Sequence, residues 1–263
     1  MEGTTPESLL QHGLKILVLA RSVPDSNLPF PLMQGAPDFA AFSWQLNPFD
    51  EVAVEAAIQL RQQFKDQHPD LPAEVVVVGN SSSAGVAAVE RALSLGGDRA
   101  LLLNNATNDK CIVPDQLVAL IGDLSPHLVL LGRLALGEEK GELAGQLAGL
   151  LGWPLATAVS ELAIDNTTLN FLQRRITQSR HATIAMPAIV SAELDLAIPR
   201  YVTLPALVAA KRKPKQPYAI DITSAKNELI TKRWQQPPSR KTGQQVNSVQ
   251  ELICRLTGQG VQL

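Results

Sequence analysis

Residues 74–103 read EVVVVGNSSSAGVAAVERALSLGGDRALLL, and this stretch decides the fold class. The apolar run at 74–79 is typical of a buried strand, whereas residues 83–95 have the spacing of an amphipathic helix that ends at a glycine pair. A second apolar run follows at 99–103. Because parallel neighbours in a sheet need a long crossover, usually a helix, this order predicts a βαβ unit. The stretch therefore predicts an α/β fold with a mostly parallel sheet.

The same alternation continues on both sides of this unit. Residues 14–20 predict a first strand, and the proline-rich residues 21–46 predict a long loop with room for a short hairpin. After the helix that we expect at 47–67 and the unit described above, the pattern repeats. It predicts a helix, a strand and a helix at residues 115–122, 128–131 and 141–151.

The sequence pattern changes after residue 153. Shorter apolar runs there predict a β extension with strands at 156–162, 168–176 and 185–192. The whole pattern predicts a Rossmann-like, doubly wound α/β domain at residues 1–213, followed by a C-terminal arm at residues 214–263. We expect every strand of the sheet to precede the arm. The arm is polar and rich in proline, so it can bury little surface on its own core and is either flexible or docked on a partner.

Composition excludes several classes of function. Of the 263 residues only 4% are aromatic, and the formal net charge is −2, which argues against a stacking platform or a basic field for nucleic acid. Cys111 and Cys254 lack metal-ligand spacing, so we interpret them as idle thiols suited to a reducing compartment. No secretory signal and no apolar run of membrane-spanning length is present. We expect a cytoplasmic protein without direct membrane insertion.

Several loops follow the carboxyl ends of the predicted strands, where doubly wound sheets bind ligands. The first strand runs into Leu19 and Arg21, Asn80 follows the second strand, and residues 132–143 follow the fourth. Because the carboxyl ends of parallel strands share one edge of a sheet, we expect these loops to meet the helix start at Asn47 in one site.

Residues Asn47-Pro48-Phe49-Asp50 have the composition of a helix start. Asn47 can cap the helix with its side-chain oxygen, Pro48 has no N–H to leave unpaired in the first turn, and Asp50 can return the capping bond. Asparagine amides can also read an adenine edge, and free N–H groups at a helix N-terminus can hold phosphate. Capping alone and ligand contact are compatible, and both interpretations stay open.

Residues 191–207, which we call the docking segment, are unusually apolar for a surface segment. Two prolines stiffen it. Exposed apolar segments of this kind bind partners, although the alternative is that the segment is buried against its own sheet. A basic run follows, which is either an ordinary solvated face or a means of steering an acidic partner: Lys211, Arg212 and Lys213.

The sequence offers no constellation for covalent catalysis. Its four histidines have neither metal-ligand spacing nor a suitable carboxylate neighbour, and no Gly-x-Gly-x-x-Gly or Walker sequence occurs. We therefore predict a protein without catalytic residues or a metal site.

A series of short motifs resembles the small (beta) subunit of electron transfer flavoproteins, and the resemblance covers residues 14–263. The motifs lie in the family's order and at similar separations: Val23-Pro24-Asp25, Asn47-Pro48-Phe49-Asp50, Leu151-Gly152-Trp153-Pro154, Met186-Pro187-Ala188-Ile189-Val190, Pro199-Arg200-Tyr201-Val202-Thr203-Leu204-Pro205 and Gln236-Pro237-Pro238-Ser239-Arg240.

This resemblance implies a fold like that of the adenine nucleotide alpha hydrolases and a heterodimer in which an alpha subunit holds most of the FAD. It also implies a structural AMP against the carboxyl edge of the sheet. Cofactor contacts then fall on Leu19, Asn47, Pro48, Phe49, Asp50, Asn80, Gly132, Arg133, Gly137, Glu138, Glu139, Lys140, Gly141, Glu142 and Leu143.

The resemblance further implies that the docking segment is a recognition loop for flavin dehydrogenases of the acyl-CoA dehydrogenase type, with Leu204 entering a pocket on the dehydrogenase. In the family the arm wraps onto the alpha subunit. The residues that would dock a partner are Arg200, Tyr201, Leu204, Pro205, Lys211, Arg212 and Lys213.

The loop at 132–143 departs from the family pattern. Glu142 stands where the family has glutamine, and Leu143 stands where it has a hydroxyl residue. An ionised carboxylate cannot donate a hydrogen bond and repels phosphate, so we expect weaker AMP binding unless Arg133 or Lys140 compensates. The alternative is that the loop's glutamates are the solvated first turn of a helix, favoured by its dipole: Glu138, Glu139 and Glu142.

The sequence therefore predicts a beta subunit of a heterodimeric electron transfer flavoprotein. Such a subunit serves electron transfer from a flavin dehydrogenase to a downstream acceptor such as a quinone reductase. Two alternatives stay open: a flavin-bifurcating beta subunit with a second FAD, and a standalone nucleotide-binding or nucleotide-hydrolysing protein of similar fold.

Overall fold

The computed structural model describes residues 13–104, 112, 114–219, 232–235, 238–240 and 242–261. Cys111 lies outside the described residues, and Cys254 is an exposed free thiol. The strands are β1 (Leu14–Leu19), β2 (Ser22–Pro24), β3 (Leu32–Met33), β4 (Ala36–Pro37), β5 (Trp44–Leu46), β6 (Ala73–Asn80), β7 (Arg99–Leu103), β8 (Leu128–Gly132), β9 (Leu155–Asp165), β10 (Thr168–Arg174), β11 (Ser179–Ala185), β12 (Ala188–Ala192) and β13 (Lys215–Tyr218). The helices are α1 (Pro48–Gln67), α2 (Ser83–Leu95), α3 (Pro114–Leu124), α4 (Leu143–Leu151), α5 (Leu204–Arg212) and α6 (Val249–Gly258).

A sheet of nine strands organises the domain, in the order β11-β10-β9-β12-β8-β1-β6-β7-β13. β1 lies between two parallel neighbours, and its Ile16 stands opposite Val75 of β6 and Leu128 of β8. The chain proceeds from β1 through β6 to β7 on one side and then crosses to β8 on the other. This reversal is the doubly wound arrangement, so the predicted Rossmann-like fold class is confirmed.

Helices cover both faces of the sheet because the buried strands alternate their side chains between two cores. Val18 of β1 points into a core formed with α1, α2 and α5. Its neighbour Leu17 points into a second core formed with α3 and α4. None of the helices in the described ranges has the length and hydropathy needed to cross a membrane.

The β extension after residue 153 has one more strand than we expected. β9 pairs in parallel with β12 and antiparallel with β10, which in turn pairs antiparallel with β11. A single strand at 185–192 is therefore wrong. β11 and β12 are separate strands on either side of a turn that contains the cis Met186–Pro187 bond.

The C-terminal region also differs from expectation, because β13 pairs in parallel with β7 and forms one edge of the main sheet. The expectation that all strands precede residue 214 is wrong. Pro217 is tolerated in this strand because an edge strand need not donate every N–H to a neighbour. Farther along, Trp234 packs its ring 5.8 Å from that of Phe39, and α6 contains no buried residue.

Candidate functional site

The switch point of the sheet lies between β1 and β8, and their carboxyl ends bring three segments together. Arg21 follows β1, α1 begins beside it, and the loop at 132–142 follows β8. The N–H of Asn47 donates to the carbonyl oxygen of Arg21 at 2.8 Å, which fixes the start of α1 against the end of β1. Doubly wound sheets bind ligands at this position.

A buried ion pair occupies the centre of this edge. Arg21 donates from Nη2 and Nε to the two carboxylate oxygens of Asp50 at 2.7 and 2.8 Å, and the Asp50 side chain is fully buried. Asp50 also accepts from the backbone N–H groups of Arg21 at 3.0 Å and Gly132 at 2.7 Å. The predicted capping role of Asp50 is therefore wrong, because its oxygens are taken by Arg21 and Gly132.

The charge of Arg21 is well supported despite its burial. Burial alone lowers the pKa of the guanidinium, but the carboxylate of Asp50 and the charge of Glu138 outweigh it, so the pKa lies above its ordinary value. Arg21 Nη2 also donates to the carbonyl oxygens of Gly132 at 2.8 Å and Leu134 at 3.3 Å. One side chain thus ties α1 to the loop after β8.

Asn47 is fully buried as well, and its side chain does not cap α1. Its Nδ2 donates to the carbonyl oxygen of Leu134 at 2.8 Å, and its Oδ1 accepts from the N–H of Leu136 at 3.4 Å. The predicted side-chain cap is wrong because both ends of the amide are used to hold the loop. Pro48 does occupy the first turn of α1.

Gly132 is required where the loop leaves the sheet. A Cβ added there would lie only 2.4 Å from Cβ of Phe49, so the backbone of β8 can approach α1 this closely only without a side chain. Phe49 is buried at this contact.

Asn80 serves the start of α2. It is buried, and its Oδ1 accepts from the N–H and the hydroxyl of Ser82 at 3.2 and 2.5 Å. A Cβ on Gly85 would lie 1.8 Å from this oxygen, so α2 packs directly on the amide. Leu19, the other predicted contact on this side, is fully buried within the core.

The loop at 132–143 is exposed over its second half. Arg133 pairs with Glu193 at 2.6 Å, and its guanidinium lies 5.4 Å above the ring of Phe49. Helix α4 begins at Leu143, so the interpretation of Glu138 and Glu139 as its first turn is wrong. The residues that face solvent ahead of the helix are Gly137, Glu138, Glu139, Lys140, Gly141 and Glu142.

These residues do not fit a nucleotide phosphate. The buried amides of Asn47 and Asn80 and the guanidinium of Arg21 are bonded within the chain, and Arg133 is neutralised by Glu193. The exposed half of the loop adds three carboxylates against the single ammonium of Lys140. Phosphate sites need donors and positive charge, so the chemistry of this loop opposes phosphate binding.

The docking segment presents two different sides. On the inner side Ala197 is buried, and Leu196 and Val202 pack on the core. On the outer side Ile198 is 89% exposed and Tyr201 is fully exposed. The alternative that the whole segment is buried is therefore wrong.

Leu204, which we expected in a loop, is the first residue of α5 and is 74% exposed. The hydroxyl of Thr203 caps this helix by accepting from the N–H of Ala206 at 3.4 Å, and Pro205 lies in the first turn. The exposed leucine is therefore presented by a helix end, continuous with the outer side of the docking segment.

The predicted docking cations fall into two groups. Lys211 and Arg212 are exposed in the last turn of α5. Lys213 instead donates to the carbonyl oxygens of Leu93 at 2.9 Å and Gly97 at 2.6 Å, at the end of α2, and burial lowers its pKa. Arg200 donates to Glu55 on α1 at 2.8 Å.

Comparison with known proteins places this arrangement in a family. The family model described as "Electron transfer flavoprotein domain" matches residues 40–221. The chain is 30% identical to the electron transfer flavoprotein subunit beta of Bradyrhizobium diazoefficiens, a match that covers 92% of this chain and 97% of the relative. It belongs to the electron transfer flavoprotein beta-subunit family.

Other members of the family are similarly distant. The subunit beta of Dictyostelium discoideum is 27% identical over 92% of this chain and 96% of its own length. The mitochondrial subunit beta of Oryza sativa subsp. japonica is 30% identical over 92% of this chain and 97% of its own length. The family model's match at residues 40–221 takes in the start of α1, the loop after β8 and the docking segment, so these features belong to the region shared with the electron transfer flavoproteins.

Two residues of this electron transfer flavoprotein chain were missed as site residues. Arg21 was noted only as a loop position, although a cation directly after a central strand and an acid in the next helix start are the signal for such a pair. Glu55 gave no signal, because a glutamate in a long helix is normally solvated. Within the described ranges no group of three or more potential metal ligands occurs.

Proposed function

We propose that this chain is the beta subunit of a heterodimeric electron transfer flavoprotein that receives electrons from flavin dehydrogenases of the acyl-CoA dehydrogenase type. A downstream acceptor such as a quinone reductase takes the electrons. In this role the chain is a scaffold and a docking surface, and it performs no bond chemistry of its own.

The observation that carries the proposal is the outer side of the docking segment together with α5. Ile198, Tyr201 and Leu204 are exposed in one continuous stretch, and Val208 extends it by one helical turn. Large apolar side chains grouped in this way favour a protein partner. Lys211 and Arg212 at the end of the same helix add positive charge that attracts an acidic partner and increases the association rate.

The C-terminal arm supports the second half of the proposal, a heterodimer. α6 carries exposed Val249, Leu252 and Ile253 on a helix that buries nothing within the described structure. An isolated helix of ten residues is marginal in water unless it packs on something. We propose that the arm, residues 214–263, packs on an alpha subunit, with β13 remaining in the sheet of this chain.

The flavin of the proposed heterodimer is FAD held mainly by the alpha subunit, and when bound it supplies the redox chemistry. This chain contributes position: its docking surface brings the partner flavoprotein close to the heterodimer. The exposed carboxylates of the loop after β8 oppose phosphate binding, so neither AMP nor a second FAD is part of the proposal.

Electron acceptance tests the proposal. The chain, co-expressed with the alpha subunit encoded in the same genome, is mixed anaerobically with a substrate-reduced acyl-CoA dehydrogenase, and flavin reduction is followed by absorbance. We expect the rate of flavin reduction to saturate with the concentration of the heterodimer and to fall as the salt concentration rises, since salt screens the electrostatic attraction between the partners. Absence of reduction by acyl-CoA dehydrogenases that differ in acyl-chain specificity would reject this class of donor.

A further inference from the structure

Arg200 lies on the docking segment, yet its guanidinium turns inward to α1. Its Nε and Nη2 donate to the two carboxylate oxygens of Glu55 at 2.8 Å each, and its backbone N–H donates to one of them at 3.3 Å. Glu55 is only 3% exposed and also accepts from Gln59 at 3.1 Å. The Arg200 side chain is 48% exposed, so the pair anchors a surface side chain of the docking segment to a buried acid of α1.

The acid is held in the ionised state that this contact needs. Burial raises the pKa of the Glu55 carboxyl group, but the hydrogen bonds from Arg200 and Gln59 together lower it by more. The pKa therefore lies below its ordinary value. The guanidinium is matched to this task because its planar fork bonds both oxygens at once.

The contact sits between the exposed apolar residues. Ile198 precedes Arg200 by two positions, Tyr201 follows it directly, and Leu204 begins α5 one turn farther on. Leu196 and Val202 fasten the segment to the core on either side. Only the Glu55–Arg200 pair fastens the stretch between them by side-chain hydrogen bonds in the described structure.

We propose that the Glu55–Arg200 pair is a positioning device that holds the docking segment in its binding conformation. Arg200 then acts through its bonds to Glu55 on α1. The consequence for docking rests on the proposed function. A segment that is already ordered loses less conformational entropy on binding, so a partner binds it more tightly than the same residues on a loose loop.

Hydrogen–deuterium exchange tests the ordering without any partner. We expect Glu55→Gln and Arg200→Lys to accelerate exchange of the amide at position 200 about tenfold or more, because this N–H donates to Glu55 and removing a local restraint increases local opening. Two matched controls break other ion pairs. Glu51→Gln, one turn earlier on α1, removes the ion pair with Arg91. Arg99→Lys removes the two-pronged guanidinium contact with Glu74. Unchanged exchange at position 200 in both test variants would overturn the proposal, as would equal acceleration in the controls.

Kinetics then separate positioning from contact in the co-expressed heterodimer. With reduced acyl-CoA dehydrogenase as the donor, we expect Glu55→Gln to raise KM for the heterodimer about tenfold while kcat changes less than twofold. The Glu55 side chain is buried beneath the segment, so a direct role in docking cannot explain this result. An unchanged KM despite faster exchange would overturn the proposed effect on docking. If no dehydrogenase reduces even the unaltered heterodimer, the proposed function fails while the exchange result still decides the ordering.

Discussion

At the scale of single residues, Asp50 is the side chain on which the switch point depends most. Replacing it with asparagine leaves the guanidinium of Arg21 in a nearly dry site without its counter-charge. Breaking a buried pair in this way costs about 3–5 kcal/mol. We expect Asp50→Asn to lower the free energy of unfolding by that amount, measured by urea denaturation of the purified chain.

The control for this variant is Glu74→Gln, which breaks the partly exposed pair with Arg99. Partly exposed pairs contribute about 0–1 kcal/mol, so the control changes stability little. Equal losses in the two variants would contradict the assignment of Arg21 and Asp50 as a buried, mutually dependent pair.

The loop after β8 gives a second prediction at this scale. The double variant Glu142→Gln/Leu143→Thr removes one negative charge and adds a donor and a hydroxyl at the start of α4. We expect AMP affinity, measured by calorimetry, to rise by on the order of tenfold, since a hydrogen bond to a charged group contributes about 1.5–3 kcal/mol.

Glu161→Gln is the matched control for charge, because Glu161 is exposed on β9 in the β extension. It changes the net charge equally and leaves AMP affinity unaltered. Tight AMP binding by the unaltered chain, with no gain in the double variant, would show that the loop accepts phosphate as it stands.

Asn47 shows how much of the site the sequence could predict. The motif at 47–50 located the helix start correctly, because proline and the acidic first turn are local signals. It could not show that the amide bonds Leu134 and Leu136, since those partners are distant in sequence and only the fold brings them near. A capping residue and a loop anchor have the same sequence signature.

At the scale of elements, α5 presents an exposed leucine, Leu204, at its first position. Burying a leucine in a dry pocket contributes about 1.5–3 kcal/mol. We therefore expect Leu204→Ala to lower the second-order rate constant for flavin reduction by acyl-CoA dehydrogenase about tenfold, measured by stopped-flow absorbance. The melting temperature should stay within a degree of the parent, because Leu204 is exposed.

Ile176→Ala serves as the control, because Ile176 is fully exposed in the turn between β10 and β11. It removes a similar apolar surface without touching the docking segment, so the rate constant is expected to stay the same. An unaltered rate with Leu204→Ala, together with a melting temperature lower by several degrees, would make Leu204 a core residue.

The basic residues at the end of α5 are expected to affect the rate of association with the partner. We expect the double reversal Lys211→Glu/Arg212→Glu to slow association most at low ionic strength and little at high salt, since screening removes long-range steering but leaves apolar contact. Lys213 is left intact because its ammonium bonds the carbonyl groups at the end of α2. A loss that is independent of salt would point to a structural effect of the reversal.

The elements that sequence reasoning missed have physical reasons in common. β11 is mostly exposed, and its apolar alternation is limited to Ala182 and Ile184, so its pattern gives only a weak strand signal. α5 and β13 each contain a proline, which we interpreted as stiffening a loop in the first case and as part of a polar arm in the second. In α5 the proline lies in the first turn, where it is favoured, and Thr203 before it was the available signal. The buried strands were predictable because their apolar runs are continuous.

At the scale of the whole molecule, the C-terminal arm has two parts: β13, which pairs with the main sheet, and the residues that follow it. The hydroxyl of Tyr218 donates to Asp123, and the N–H of Ala100 donates to the carbonyl oxygen of Pro214 at 2.9 Å, so this strand belongs to the core. We expect removal of residues 219–263 to abolish binding of the alpha subunit while circular dichroism shows an intact fold. Removing residues 214–263 also exposes the edge of β7, and we expect it to lower the melting temperature by several degrees.

The two truncations control for one another. Equal thermal stability would show that β13 contributes nothing to the sheet. Retained binding of the alpha subunit by the chain ending at residue 218 would move the interface away from the arm.

The central claim is that this chain works only as one half of a flavoprotein, and the most direct measurement is the flavin content of the chain with and without an alpha subunit. Both preparations are denatured, and the released cofactor is quantified by mass spectrometry. We expect about one FAD per heterodimer, no stoichiometric AMP, and no stoichiometric flavin on the chain alone, because the exposed carboxylates of the loop after β8 oppose phosphate binding. A yellow, monomeric chain that carries stoichiometric FAD without an alpha subunit would contradict the account.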